Sequence, residues 1–130
     1  MIRLDITGRS PIYEQLCREI CGEIARGLLV ENDRLPAARV LAKDLGINPN
    51  TVAKAYGMLE RDGIIYSVAG IGCFVSKEKA GAYRWLTEDF RRKTREAFGA
   101  GVPKDALLSI LEEECSGEVS PQTQGVKNDD

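Results

Sequence analysis

An α+β fold is predicted for this 130-residue chain by three observations. Two short segments with helical apolar spacing, residues 35–45 and 49–61, are separated by one tight break at Gly46. Two β-prone runs, Ile64-Ile65-Tyr66-Ser67-Val68 and Cys73-Phe74-Val75, flank Ala69-Gly70-Ile71-Gly72, whose glycines allow the positive φ angles of a hairpin tip. A longer apolar stripe at steps of four precedes them. Helix, helix-turn-helix and hairpin in that order describe a winged helix-turn-helix domain over residues 1–77, with a small two-helix appendage after it.

Ile2, Leu4 and Ile6 alternate with Arg3, Asp5 and Thr7, which predicts a short strand able to pair with the wing. Ser10-Pro11 reads as a cap followed by proline at a helix start, and Ile12, Leu16, Ile20, Ile24 and Leu28 follow on one face. Tyr13, Cys17 and Cys21 widen that face, and Gly27, Asn32 and Asp33 mark the loop out of it. In the next helix Ala38, Leu41, Ala42 and Leu45 are the apolar residues, and Gly46 is placed for a left-handed C-terminal cap.

Asn48-Pro49-Asn50-Thr51-Val52-Ala53-Lys54-Ala55-Tyr56 is the most informative stretch. Asn48 can cap the helix and Pro49 suits its first turn, where no backbone donor is needed. Val52, Ala55, Tyr56 and Leu59 form one buried stripe. Asn50, Thr51, Lys54 and Arg61 lie off it, as small hydrogen-bonding groups and cations do on a helix that reads DNA. Taken alone, such residues more often form a solvated face. Their place as the second helix of a helix-turn-helix, the one that enters the major groove, favours the DNA reading.

After residue 77, Tyr83, Leu86, Phe90 and Ala97 recur near heptad spacing, Gly99-Ala100-Gly101 breaks the helix, and Pro103 opens a second one with Leu107, Leu108, Leu111 and Cys115 in a stripe. Two short amphipathic helices bury each other's apolar faces poorly, so residues 78–116 are read as a dimerisation region built on Tyr83, Leu86, Phe90, Leu107, Leu108 and Leu111. Packing against the chain's own N-terminal domain is the alternative. Arg91-Arg92-Lys93 with Arg95 is a solvated charge run, a DNA-holding patch or a partner for acidic residues across a dimer. Glu112-Glu113-Glu114 sits where the helix dipole disfavours anions, so fraying is expected there, and 117–130 is expected to be a disordered polar tail.

Overall charge argues against a nucleic-acid partner, because the net formal charge is −2 and such proteins tend to be basic. Its distribution softens this: residues 1–77 hold 10 Lys/Arg against 9 Asp/Glu, and the rest hold 8 against 11. DNA binding would then depend on a few well-placed cations and be salt-sensitive. No apolar run approaches the ~20 residues of a membrane span, and no signal-peptide core is found, so a cytoplasmic protein with no membrane partner is expected. Catalysis finds no support, since the chain has no His and no recognisable nucleophile pairing. Cys17, Cys21, Cys73 and Cys115 lack a zinc-ligand pattern and read as buried structural thiols, with a thiol-based sensor as the alternative. No metal or cofactor is expected.

The chain resembles bacterial transcription regulators of the GntR family, and within it the small YtrA-type subgroup. The resemblance runs through Pro11-Ile12-Tyr13-Glu14-Gln15-Leu16, Leu35-Pro36, Arg39 with Leu41-Ala42, Asn48-Pro49-Asn50-Thr51-Val52, Ala55-Tyr56, Leu59-Glu60, Gly63, and Gly70-Ile71-Gly72 with Phe74-Val75. It implies a homodimer on a two-fold operator, with the third helix in the major groove and the wing tip near the minor groove. By position, Arg39 would contact phosphate or a base edge, Asn50, Thr51 and Lys54 would contact phosphates and bases, and Gly70 and Gly72 would shape the wing. The Arg39 fork matches guanine O6 and N7, although an Arg here could instead be a surface ion-pair partner. The resemblance further implies a repressor of a nearby operon, such as a transporter operon. Residues after 77 are too few for the larger effector domains of other subgroups, so any small-molecule effector would bind at the dimer interface or between domains.

Three positions depart from the family pattern. Ala37 stands where Ser is usual, Ala69 where a basic residue often precedes the wing glycines, and Cys73 where a small hydroxyl residue follows them. DNA binding is therefore expected to lean on the recognition helix more than on the wing. The competing reading is a winged-helix module that binds a protein partner without reading DNA.

Overall fold

α1 (Ile12–Ala25) buries Leu16, Cys17, Ile20, Cys21 and Ile24, the stripe predicted for it. The structure, a computed structural model, describes residues 2–117, so all but the first residue of the expected 117–130 tail lies outside the described residues. The stripe is shorter than predicted at its end. Leu28 N bonds back to Glu23 O at 2.8 Å and Gly27 turns the chain with φ 80°, which leaves Leu28 64% exposed. At the start Pro11, not Ser10, occupies the capping position, and no side chain caps the helix.

The strand expected at Ile2, Leu4 and Ile6 does not form. Asp5 is committed to local bonds instead: its N–H donates to Gln15 Oε1 at 2.7 Å, its carbonyl accepts from Gln15 Nε2 at 2.9 Å, and its carboxylate accepts from Thr7 N and Oγ1. Gln15 Nε2 also donates to Ser10 O. With its N–H and carbonyl both engaged, Asp5 has no backbone group left for a ladder. The wing finds a different edge partner, the segment 32–35. Asn32 N donates to Val75 O, Val75 N to Asp33 O, and Leu35 N to Cys73 O, with Arg34 bridged to Phe74.

α2 (Ala38–Leu45) ends as predicted, on Gly46 in the left-handed conformation (φ 72°, ψ 35°), with Ile47 N donating to Ala42 O at 3.0 Å. α3 (Pro49–Arg61) begins under Asn48, whose side chain accepts from Asn50 N at 2.8 Å. Its buried residues are the predicted Val52, Ala55, Tyr56 and Leu59. α3 packs on α1, α2 and β1 (Ile65–Val68), and β1 pairs antiparallel with β2 (Gly72–Val75) in the register Ile65↔Val75, Tyr66↔Phe74, Ser67↔Cys73, Val68↔Gly72. Leu16, Ile20, Val52, Leu59, Ile64, Ile65 and Val75 are the large residues at the centre of this core. Each fully buried Leu, Ile or Val contributes roughly 1.5–3 kcal/mol of transfer free energy.

Two further helices follow, α4 (Ala80–Gly99) and α5 (Lys104–Cys115). The chain divides into two compact units between Trp85 and Leu86, inside α4. The first turns of α4 belong to the N-terminal unit, where Ala82 is fully buried and a Cβ on Gly81 would stand 3.4 Å from Ile64 Cγ1. In the second unit, Asp89 is held by Arg92 at 2.7 Å and Lys93 at 3.3 Å, so part of the basic run is an intrahelical ion network. α5 stays helical through Glu112-Glu113-Glu114 to Cys115 rather than fraying, and Ser116 Oγ donates to Glu113 O. The predicted α+β architecture, a winged helix followed by two helices, is the observed one.

Candidate nucleic-acid interface

With its inner stripe buried, α3 presents Asn50, Ala53, Lys54, Gly57, Glu60 and Arg61 outward. Asn50 and Lys54 are one turn apart on a shared flank, whereas Thr51 is half-buried. Lys54 Nζ lies 3.8 Å from the centroid of the Tyr13 ring, a cation–π contact that draws this cation toward α1. Arg39 is exposed in the first turn of α2. Ala37 occupies the capping position of that helix with capping dihedrals (φ −59°, ψ 145°) but has no side chain to accept an N–H.

On its other flank α3 faces the wing across an open cleft of about 520 Å³. Ala53, Gly57 and Glu60 form the α3 wall, Pro36 to Ala38 close one end, and Arg34 with Val68 and Gly70 to Cys73 form the wing wall. The cleft is braced by Tyr56, whose hydroxyl donates to Pro36 O at 2.7 Å and so ties α3 to the start of α2. Burial, with a smaller contribution from Cys73, pushes the Tyr56 phenol well above its ordinary range, so it remains a donor. Across the cleft Ser67 Oγ donates to Glu60 Oε1 at 2.9 Å. The wing tip is shaped as predicted: Gly70 has φ 75° and Gly72 φ 149°, values that favour glycine at both positions.

The structure thus places Asn50 and Lys54 on one exposed flank of α3, Gly70 and Gly72 at the wing tip beside its other flank, and Arg39 exposed in the first turn of α2. Three residues that sequence reasoning passes over also belong to this face. Ala53 and Gly57 form the exposed centre of α3, and Arg34 reaches the wing tip. A glycine in the middle of a helix is a signal that could have pointed to Gly57. Nothing local marks Arg34, because its partner Ile71 lies 37 residues away.

The thiols divide into two classes. Cys17 and Cys21 are buried in the core, and burial raises their pKa values to about 11 and about 12, so they stay protonated. Contrary to the expectation of four buried thiols, Cys73 is half-buried beside Ser67 and Cys115 is exposed. Cys73 sits in a hairpin only one side chain thick, and Cys115 lies in α5, which buries no residue. Among the described residues no group of three or more His, Cys, Asp or Glu could hold a metal ion, and no helix is long and apolar enough to cross a membrane.

The residues 12–75 match the family model described as bacterial regulatory proteins, gntR family. Over 135 aligned residues covering all of both chains, the protein is 33% identical to the HTH-type transcriptional repressor YtrA of Bacillus subtilis (strain 168). A solved structure described as a transcriptional antiterminator from Listeria monocytogenes EGD-e superimposes with a TM-score of 0.66 and 27% identity, covering 92% of this chain and 96% of that one. The DNA-binding domain of AraR, solved in complex with operator ORX1, superimposes with a TM-score of 0.53 and 30% identity over 58% of this chain and 96% of its own. An open α3 face beside a glycine-shaped wing, in a chain with these relatives, is a DNA-binding device and not an enzyme: the chain belongs to the GntR family of transcription regulators.

Proposed function

We propose that the chain is a homodimeric repressor that reads a two-fold operator by laying α3 in the major groove and the wing along the adjacent backbone. The arrangement of α3 carries this reading. Its inner face is used by the core, and its outer face is open between the start of α2 and the wing. Asn50 and Lys54 would contact bases and phosphates from the exposed flank, with Thr51 donating from its half-buried position. Lys54 leaves or keeps its seat over Tyr13 at small cost, since an exposed cation–π contact contributes roughly 0.5–1 kcal/mol. Arg39 would take a guanine edge or a phosphate, and Gly70 and Gly72 let the hairpin tip approach closely.

Repression as the outcome is carried over from the YtrA of Bacillus subtilis, a repressor by name. A nearby operon, such as a transporter operon, is the proposed target, and the cytoplasm is the compartment where such DNA would be met. Dimerisation through Tyr83, Leu86, Phe90, Leu107, Leu108 and Leu111 is supported by the exposure of Tyr83 (66%), Phe90 (59%), Leu108 and Leu111, while Leu86 and Leu107 are half-buried. A small-molecule effector would then bind where the two copies meet.

A gel shift on duplexes from the DNA upstream of the protein's own gene, repeated across a salt titration, tests the reading. The wild type is expected to retard a specific duplex with strong salt dependence, and Arg39→Ala to lose about tenfold or more in affinity while discriminating less between sequences. Retention of wild-type affinity and discrimination by Arg39→Ala together with Asn50→Ala would remove α2 and α3 as the reading elements. No specific shift on any upstream duplex would favour a protein-binding module instead.

A further inference from the structure

The hairpin and its flanks, residues 64–76, contain no charged residue. A cation beside the hairpin would favour its approach to phosphates, and the structure supplies one from outside it. Arg34 belongs to the extended segment that pairs with β2, where the Leu35 N–H bond to Cys73 O at 2.9 Å and the bridge to Phe74 set its backbone against the wing. Its guanidinium crosses to the tip, and Nη2 donates to Ile71 O at 2.5 Å. Gly72 makes room for this crossing, because a Cβ there would stand 3.0 Å from Arg34 Nε.

We propose that Arg34 is the cation of the wing, contacting a phosphate of the DNA backbone that runs through the cleft between α3 and the hairpin. The proposal rests on the DNA-reading role of α3 proposed above. The bond to Ile71 uses one of five guanidinium N–H donors, and the remaining fork suits phosphate oxygens. Among the described residues no carboxylate pairs with Arg34, so none of them neutralises its charge. The opposite wall is Ala53 and Gly57, which leaves space for a strand of backbone. Glu60 is the carboxylate on that wall, and Arg34 offsets the repulsion it would exert on a phosphate. The wing thus keeps its glycine turn and receives its charge from a residue 37 positions upstream of the carbonyl that anchors it.

Arg34→Gln keeps a donor for Ile71 O and removes the charge, whereas Arg34→Lys keeps the charge. On the duplex found for the wild type, Arg34→Gln is expected to lower affinity about tenfold and to flatten the plot of log affinity against log salt by about one unit, and Arg34→Lys to keep the wild-type slope. A second measurement uses duplexes in which single phosphates are replaced by neutral methylphosphonates. One position should weaken the wild type while leaving Arg34→Gln unchanged. A wild-type salt slope in Arg34→Gln, or no phosphate whose neutralisation the variant ignores, overturns the proposal even if affinity falls. Absence of salt-dependent binding by the wild type is a separate outcome, which overturns the reading of α3 and this proposal with it.

Discussion

Gly57 sits in the middle of α3, where a glycine is destabilising by roughly 0.5–1 kcal/mol relative to alanine. No intramolecular reason for it exists among the described residues: its φ is not positive, and a Cβ built on it meets nothing within 4 Å. The residue makes sense as a site of close approach, since it lies on the cleft wall beside Ala53 and opposite the wing. Gly57→Ala is therefore expected to move stability and affinity in opposite directions. Thermal or urea unfolding should show a gain of about 0.5–1 kcal/mol, while specific DNA affinity drops several-fold. A variant both more stable and equally tight in binding would show that α3 and DNA stay apart at this position. Legibility at this scale was uneven. The exposed placement of Asn50 and Lys54 and the turn at Gly70 and Gly72 follow from residue type and spacing alone. The reach of Arg34 to the wing tip does not, because it depends on a long-range pairing of 32–35 with β2 that leaves no local pattern.

The elements themselves were largely readable, because the signals that define them are local. Gly46 adopts the left-handed conformation and Asn48 caps α3, so the turn and the start of the next helix follow from neighbouring residues. The N-terminal strand failed where a local pattern met a tertiary competitor. Alternation at Ile2, Leu4 and Ile6 is real, but Gln15 on α1 takes the Asp5 backbone, and the segment 32–35 takes the edge of the wing. At the start of α2, Ala37, where the family pattern has Ser, has capping dihedrals and no side-chain acceptor. Ala37→Ser should restore the missing bond without moving the backbone, adding roughly 0.5–2 kcal/mol of stability in urea unfolding. Its hydroxyl would also face the cleft that Ala37 lines, so DNA affinity should rise with stability. Unchanged stability would mean that water already satisfies the first turn of α2 as well as a side chain can.

At the level of the whole molecule, the exposed apolar residues of the C-terminal unit call for a cover. Phe90 and Phe98 are 59% and 60% exposed, and Leu108, Ile110 and Leu111 between 43% and 51%. α5 is 12 residues long and buries none of them, although isolated helices shorter than about 12–15 residues are marginal in water. A groove of about 650 Å³ in this unit has Phe90, Phe98 and Leu107 on its apolar walls and Arg91, Arg95 and Lys104 at its margins. Glu112, Glu113 and Glu114 on α5 are exposed and opposite in sign to those margins, so a second copy can supply both the apolar cover and the counter-charge. Sedimentation equilibrium at micromolar concentration is expected to show a dimer, and Leu108→Asp with Leu111→Asp to give a folded monomer. DNA binding supplies an independent check, because a monomer covers one half-site. The monomeric variant should neutralise about half as many phosphates, so its salt slope should be about half that of the wild type, with specific affinity lower by several orders of magnitude. A wild type that remains monomeric in free solution and on the duplex would assign the exposed face of α4 and α5 to another partner and leave each winged helix to bind DNA alone.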